Sequence, residues 1–142
     1  MPGIHEKVFE FQHQGFKILF GFCGVMAFNK KNTIEHFKSL EKDILGMIAS
    51  SDYIANNILK NYFYENIKNA KDIGQERKDL KIHFINQMDY SSLLIRQIVK
   101  INIDFRNGKN DCEVTTESLG SGSWAIPPGW RRSSSSRNTS LL

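Results

Sequence analysis

The sequence is poor in cysteine, which excludes a fold built on disulfide bonds. Only two cysteines, Cys23 and Cys112, occur among the 142 residues, and they form no C-x-x-C pair. Two thiols cannot make a disulfide framework. We expect two free thiols in a reducing compartment, with one long-range bridge as the alternative if the protein is exported.

Residues that carry catalysis or bind metals are also sparse. There are four histidines, and only Asp79 and His83 pair a histidine with an acidic residue at the i, i+4 spacing of a helix. A zinc site needs three or four converging ligands, so this pair predicts a contact on a helix surface. The sequence contains neither G-x-S-x-G nor a G-x-x-x-x-G-K-[ST] phosphate loop. We therefore expect no metal and no cofactor, and we favour a non-enzymatic protein over an enzyme without a motif.

No hydrophobic run is long enough to cross a bilayer. The apolar run 18–28 has 11 residues, whereas a membrane helix needs about 20. We interpret this run as a buried strand. The alternative is a secreted helical ligand with residues 1–27 as its signal peptide, but Glu6 and Glu10 lie where a signal peptide carries positive charge.

Charge and composition are typical of a small soluble domain. The net charge of +4 and the pI near 9.1 permit an acidic partner but do not require one. The length fits one globular domain, which we place at residues 1–117. From residue 118 the chain is rich in Gly, Ser, Pro and Arg, so residues 118–142 are predicted to be a disordered tail.

Residue periodicity predicts an N-terminal hairpin followed by helices. Phe16, Ile18, Phe20 and Phe22 alternate with other residues, which indicates a strand. Asn32 is followed three residues later by a glutamate, as in a capping box. The predicted helices cover residues 32–50, 51–74, 75–88 and 90–100.

The period changes near residue 99. Alternation over 99–105 and the Asn107-Gly108 turn predict a C-terminal hairpin at 101–117. The predicted fold is therefore α+β and helix-dominated, with three to four central helices flanked by an N-terminal and a C-terminal β-hairpin. An all-α bundle is the alternative.

The absence of catalytic motifs favours a small regulatory or protein-interaction module. We expect it to be intracellular and to bind a macromolecular partner, most simply a protein, through a helical face. Aromatic residues are common at protein interfaces. The candidate contact residues are Tyr62 and Tyr64 in the second helix, with Trp124 and Trp130 in the tail.

The alternative function is nucleic-acid binding by a winged helix at residues 75–117. Helix, turn, helix and hairpin follow one another in that order. The second helix would present Arg96, Gln97 and Lys100 to the major groove, and the hairpin would present Arg106 and Lys109 to phosphates.

Overall fold

The computed structural model describes residues 7–13, 16–46, 50–90 and 93–119. The largest element is an antiparallel sheet of five strands in the order β1-β2-β5-β6-β7. Its strands are β1 (Lys7–His13), β2 (Phe16–Gly24), β5 (Asp79–Tyr90), β6 (Leu93–Asp104) and β7 (Asp111–Leu119). Each of these strands pairs with the next in this order. A helical insertion separates β2 from β5 in the sequence.

The insertion between β2 and β5 begins with a small hairpin, β3 (Ala27–Phe28) and β4 (Lys31–Asn32). Short helices follow: α1 (Thr33–Ser39), α2 (Glu41–Gly46), α3 (Ser51–Tyr53), a π-helical stretch (Ile54–Leu59) and α4 (Lys60–Lys68). Two 3₁₀ turns, Gln75–Arg77 and Arg106–Gly108, precede β5 and β7. Within the described ranges no helix is long and apolar enough to span a membrane.

The prediction of a helix-dominated fold is wrong, because the protein is mostly β-sheet. The segments predicted as helices at 75–88 and 90–100 are largely the strands β5 and β6. Leu80, Ile82 and Phe84 alternate along β5 and are all fully buried on the same side. An all-α bundle and a winged helix at 75–117 both need helices in these positions, so neither architecture is present.

Several local predictions are confirmed. β1 and β2 form the N-terminal hairpin, and β2 contains most of the apolar run 18–28. β6 and β7 form the C-terminal hairpin, with Asn107 and Gly108 both at positive φ. Asn32 and Glu35 complete the capping box by reciprocal hydrogen bonds. The helix predicted for 32–50 is divided into α1 and α2 at Leu40.

One face of the sheet, here called the inner face, packs against the helices and forms the core. Phe20 and Phe84 are cross-strand neighbours on this face with ring centroids 5.3 Å apart, and Phe37 of α1 covers Phe20 at 5.5 Å. The continuous helical segment at 51–68 contributes buried residues at intervals of four: Ala55, Leu59, Phe63 and Ile67. On an ideal α-helix, residues four apart differ in direction by about 40°. The π-helical stretch has more residues per turn, so it turns the row back towards the sheet.

The predicted domain boundary and tail stay predictions. β7 extends to Leu119, so residues 118–119, predicted as tail, belong to the sheet. Residues 120–142 lie outside the described part of the chain.

Candidate functional site

The candidate binding surface is the face of the sheet opposite the helices, here called the outer face. Strand side chains alternate between the two faces, so the residues between the core positions point outward. No described element covers this face: Val8 is 63% exposed and Leu19 is 39% exposed. The outer face is therefore open to a partner.

An apolar row crosses the middle of the outer face. Leu19 of β2 pairs with Ile85 of β5, and Ile85 pairs with Ile98 of β6. Directly opposed side chains have Cβ atoms about 5 Å apart, so the three form one continuous strip. Ile85 and Ile98 are only half-buried although they lie on central strands. Glu10 and Glu117 occupy the two ends of this row on the edge strands.

Charge on the outer face is divided between central and edge strands. Away from the end marked by Asp79, the described charged side chains of the three central strands are all basic. They are Lys17 on β2, Lys81 on β5 and Lys100 on β6. The edge strands carry carboxylates instead, Glu10 on β1 and Glu113 and Glu117 on β7. The apolar row thus lies in a basic field with an acidic rim.

A cleft of about 660 Å³ opens at the end of the sheet where β2 finishes and β5 begins, and is here called the end cleft. Its charged lining is four cations and two carboxylates: Lys7, Arg77, Lys81, Arg106, Glu76 and Asp79. Gly24 borders the cleft with φ of +116°, and a Cβ there would lie 2.6 Å from the carbonyl oxygen of Asp79. Glycine is therefore required at this position, because the backbone of β5 leaves no room for a side chain.

A charged network fixes the wall of the end cleft. Asp104 accepts hydrogen bonds from Arg106 Nε at 2.9 Å and Nη2 at 3.1 Å, and from Lys109 Nζ at 3.3 Å. These bonds, chiefly those from Arg106, hold the pKa of the Asp104 carboxyl well below its ordinary value. Asp79, 3.9 Å from Arg106, responds in the opposite direction: burial raises its pKa, and the charge of Arg106 offsets only part of the rise.

The five residues predicted to contact nucleic acid do not share one surface. Lys100 is exposed on the outer face, whereas Gln97 is on the inner face and bonded to Ser51. Arg106 and Lys109 lie in the β6–β7 connection and are both tied to Asp104. Arg96 lies on β6 opposite Gln87 and Leu119, and its side chain is outside the described part.

Gln97 belongs to a buried polar cluster beneath the helices. Asn86 Nδ2 donates to Ser51 Oγ at 2.7 Å, and the Ser51 hydroxyl donates to Gln97 Oε1 at 2.6 Å. Asn86 is fully buried, and its Oδ1 has no hydrogen-bond partner among the residues that the structure describes. The cluster joins the start of α3 to the sheet, which is a structural role.

The two tyrosines predicted as interface residues also make internal hydrogen bonds. The Tyr62 hydroxyl lies 2.7 Å from His36 Nδ1, and His36 Nε2 donates to the Phe28 carbonyl at 2.8 Å. Tyr64 donates to Asn110 at 2.7 Å. Both are half-buried, and their use as a partner surface stays a prediction. The other two predicted interface residues, Trp124 and Trp130, lie outside the described residues.

The two cysteines are free thiols and cannot join each other. Cys23 is on β2 and Cys112 on β7, three strand spacings apart, or about 14 Å. A disulfide needs Cα atoms within about 7 Å. Burial raises the pKa of the Cys112 thiol, which lowers its reactivity.

Sequence reasoning did not identify Leu19, Ile85 and Ile98 as a surface. Ile85 and Ile98 fall within the segments predicted as helices at 75–88 and 90–100, and their outward direction depends on strand register. The described ranges contain no group of three or more His, Cys, Asp or Glu placed to hold a metal ion.

Comparison with protein-family models finds no matching family, and comparison with curated proteins and with solved structures finds no significant match.

Proposed function

We propose that this protein is a non-enzymatic interaction module that binds another protein through the outer face of its sheet. The observation that carries the proposal is the apolar row Leu19, Ile85 and Ile98, which is uncovered by any described element. Removing apolar surface from water is favourable by roughly 25 cal/mol per Å², although the cost of association offsets part of this gain in a complex. Three adjacent apolar residues and the nearby Val8 offer such area at the centre of the face.

Charge complementarity defines the chemistry of the partner. The central strands present Lys17, Lys81 and Lys100 around the apolar row. A partner surface with apolar residues flanked by carboxylates satisfies both features, and opposite charges also accelerate encounter. The carboxylates of the edge strands β1 and β7 repel a carboxylate-rich partner that binds off-centre, over an edge of the sheet. The partner is therefore an acidic, apolar surface element of a different protein.

This proposal replaces the helical face expected from the sequence with the sheet face. The helices use their apolar sides on the core, where Phe37, Phe63 and Ile67 are fully buried. Nucleic-acid binding, the alternative, lacks comparable support. Binding of single strands on a sheet uses exposed aromatic rings, and Phe20, Phe22 and Phe84 are buried in the core.

Site-specific photo-cross-linking tests the proposal. A photoreactive amino acid replaces His83, which is exposed at the centre of the outer face, and in a matched variant it replaces Lys38, which is exposed on α1. The full-length proteins are irradiated in extract of the cells that naturally make them. We expect an adduct with a second protein from position 83 and none from position 38.

Three results would overturn the proposal. Equal adducts from both positions would mean that the outer face is not the binding surface. An adduct of twice the chain's own mass would identify a second copy as the occupant. No adduct from either position would leave the outer face without a partner in its own cell.

A further inference from the structure

The lining of the end cleft is predominantly basic. Four cations line it, Lys7, Arg77, Lys81 and Arg106, against only two carboxylates, Glu76 and Asp79. Within the described residues only Arg106 among these cations makes an ion pair. Cations gathered in a concave site concentrate field lines and attract an anion more strongly than the same charges on a flat surface.

Arg106 is held in place before any ligand arrives. Asp104 accepts from Nε and from Nη2 of its guanidinium, and the Asp104 side chain is only 8% exposed. These two bonds fix the plane of the guanidinium, whereas an unsupported arginine loses rotamer freedom on binding. Its side chain is still 42% exposed at the cleft. A fixed guanidinium with remaining N–H donors suits the geometry of phosphate, sulfate and carboxylate groups.

The two carboxylates of the lining, Glu76 and Asp79, oppose the binding of an anion. Burial raises the pKa of Asp79, and the charge of Arg106 offsets part of the rise. The carboxylate of Glu76 is folded back over Gly74, within 2.6 Å of the position where a Cβ would stand. The absence of a side chain at Gly74 gives that carboxylate its space.

We propose that the end cleft is a binding site for an oxyanion carried by a small molecule, with Arg106 as the fixed donor and Lys7, Arg77 and Lys81 as the mobile cations. A cleft of about 660 Å³ is much larger than a single oxyanion and falls within the size range of small-molecule sites. Met26, which is 37% exposed, lines the same cleft. It provides an apolar surface for the uncharged part of the ligand.

The test is a titration of the full-length protein with sodium pyrophosphate and, separately, with sodium citrate, followed by amide chemical shifts at low ionic strength. The two anions distinguish phosphate from carboxylate ligands. We expect saturable shifts of the amides of Val25, Met26 and Arg77 with at least one anion.

Charge variants make the assignment specific. Arg77→Gln should weaken anion binding about tenfold or more, because a hydrogen bond between two charged groups is lost. Asp79→Asn should strengthen binding by about threefold or more, because it removes a negative charge from the lining. Lys38→Gln on α1, with the same change of charge outside the cleft, is the control and should leave affinity unchanged.

Some outcomes would overturn this site. One is shifts spread over exposed lysines with no saturation, which indicate non-specific ion binding. A second is an equal effect of Lys38→Gln and Arg77→Gln. Arg77 lies in a 3₁₀ turn outside the sheet, so its variant separates failure of the anion site from failure of the outer-face proposal.

Discussion

Asp104 binds the guanidinium of Arg106 through both carboxylate oxygens, at 2.9 and 3.1 Å, only two residues away along the chain. Asp104 also accepts the backbone N–H of Arg106 at 3.0 Å. The pair fixes the connection between β6 and β7 and orients Arg106 at the end cleft. One carboxylate therefore supports both the turn and the proposed anion site.

Replacing Asp104 with Asn should destabilise the fold by about 2 kcal/mol, because charge-assisted hydrogen bonds are lost from a largely buried site. Asp111, its exposed cross-strand partner, is the matched control, and Asp111→Asn should change stability by less than about 0.5 kcal/mol. Urea unfolding at neutral pH measures both values. Equal effects of the two substitutions would contradict the proposed role of Asp104.

The pH dependence of stability gives two predictions of opposite sign. The folded-state pKa of Asp104 is lowered, so its contribution is present above pH about 4 and is lost as the pH falls towards the folded-state pKa. The folded-state pKa of Asp79 is raised, so the folded protein gains stability from this group as the pH falls through that value. In acid unfolding, Asp104→Asn should lose stability less steeply than the wild type, and Asp79→Asn more steeply. If the free energy of unfolding falls with the same slope at acid pH in the wild type and in both variants, this assignment is wrong.

Two neighbours on β5 test the direction of the sheet faces. Phe84 is fully buried on the inner face, and Phe84→Ala should cost about 3–5 kcal/mol. Ile85, the next residue, points outward and is half-buried, so Ile85→Glu should cost only about 1–2 kcal/mol, through lost strand propensity and cross-strand pairing. Thermal and urea unfolding provide the comparison. A large loss for Ile85→Glu would place that side chain in the core and remove the basis for an open outer face.

The hydrogen bond between Tyr62 and His36 should make a measurable contribution to stability. His36 is only 3% exposed and stacks on Phe28 with ring centroids 3.9 Å apart. Tyr62→Phe removes its 2.7 Å partner and should cost about 1 kcal/mol. Tyr53→Phe, at a tyrosine that is 44% exposed, should have almost no effect in the same urea titration. A similar value for both would show that the Tyr62 hydroxyl is dispensable.

Local chemistry made the turns and caps predictable from sequence. Asn32 and Glu35 carry the reciprocal side-chain groups of a capping box, and the box forms. Asn107 and Gly108 tolerate positive φ, and both adopt it. Such features depend on neighbours in the chain, so one sequence is enough to reveal them.

The strands β5 and β6 were missed because their apolar residues fit two periods. Leu80, Phe84 and Ile85 have helical spacing, and so have Leu94 and Ile98. Ile85 and Ile98 on the outer face, and Asn86 and Gln97 on the inner face, break the alternation expected of strands with one apolar side. The residues that obscured the sheet therefore include two that are now proposed to bind a partner, which is where agreement between local pattern and fold is expected to fail.

The sequence alone could not predict which charged residues meet at the end cleft. Lys7, Arg77 and Arg106 are far apart in the chain and meet through the order of the strands. Arg106 was chosen from its place beside a turn, as a phosphate contact of a winged helix. Its partner Asp104 and its position at a cleft follow only from the fold.

The most direct test of the outer-face proposal is competition against the adduct formed from position 83. Excess unlabelled wild-type protein, or excess Ile85→Glu protein, is added before irradiation, and the yield of the adduct is measured. We predict that the wild type suppresses the adduct and that Ile85→Glu, whose folding is checked by urea unfolding, does not. Equal suppression by both proteins would show that the apolar row does not bind the partner.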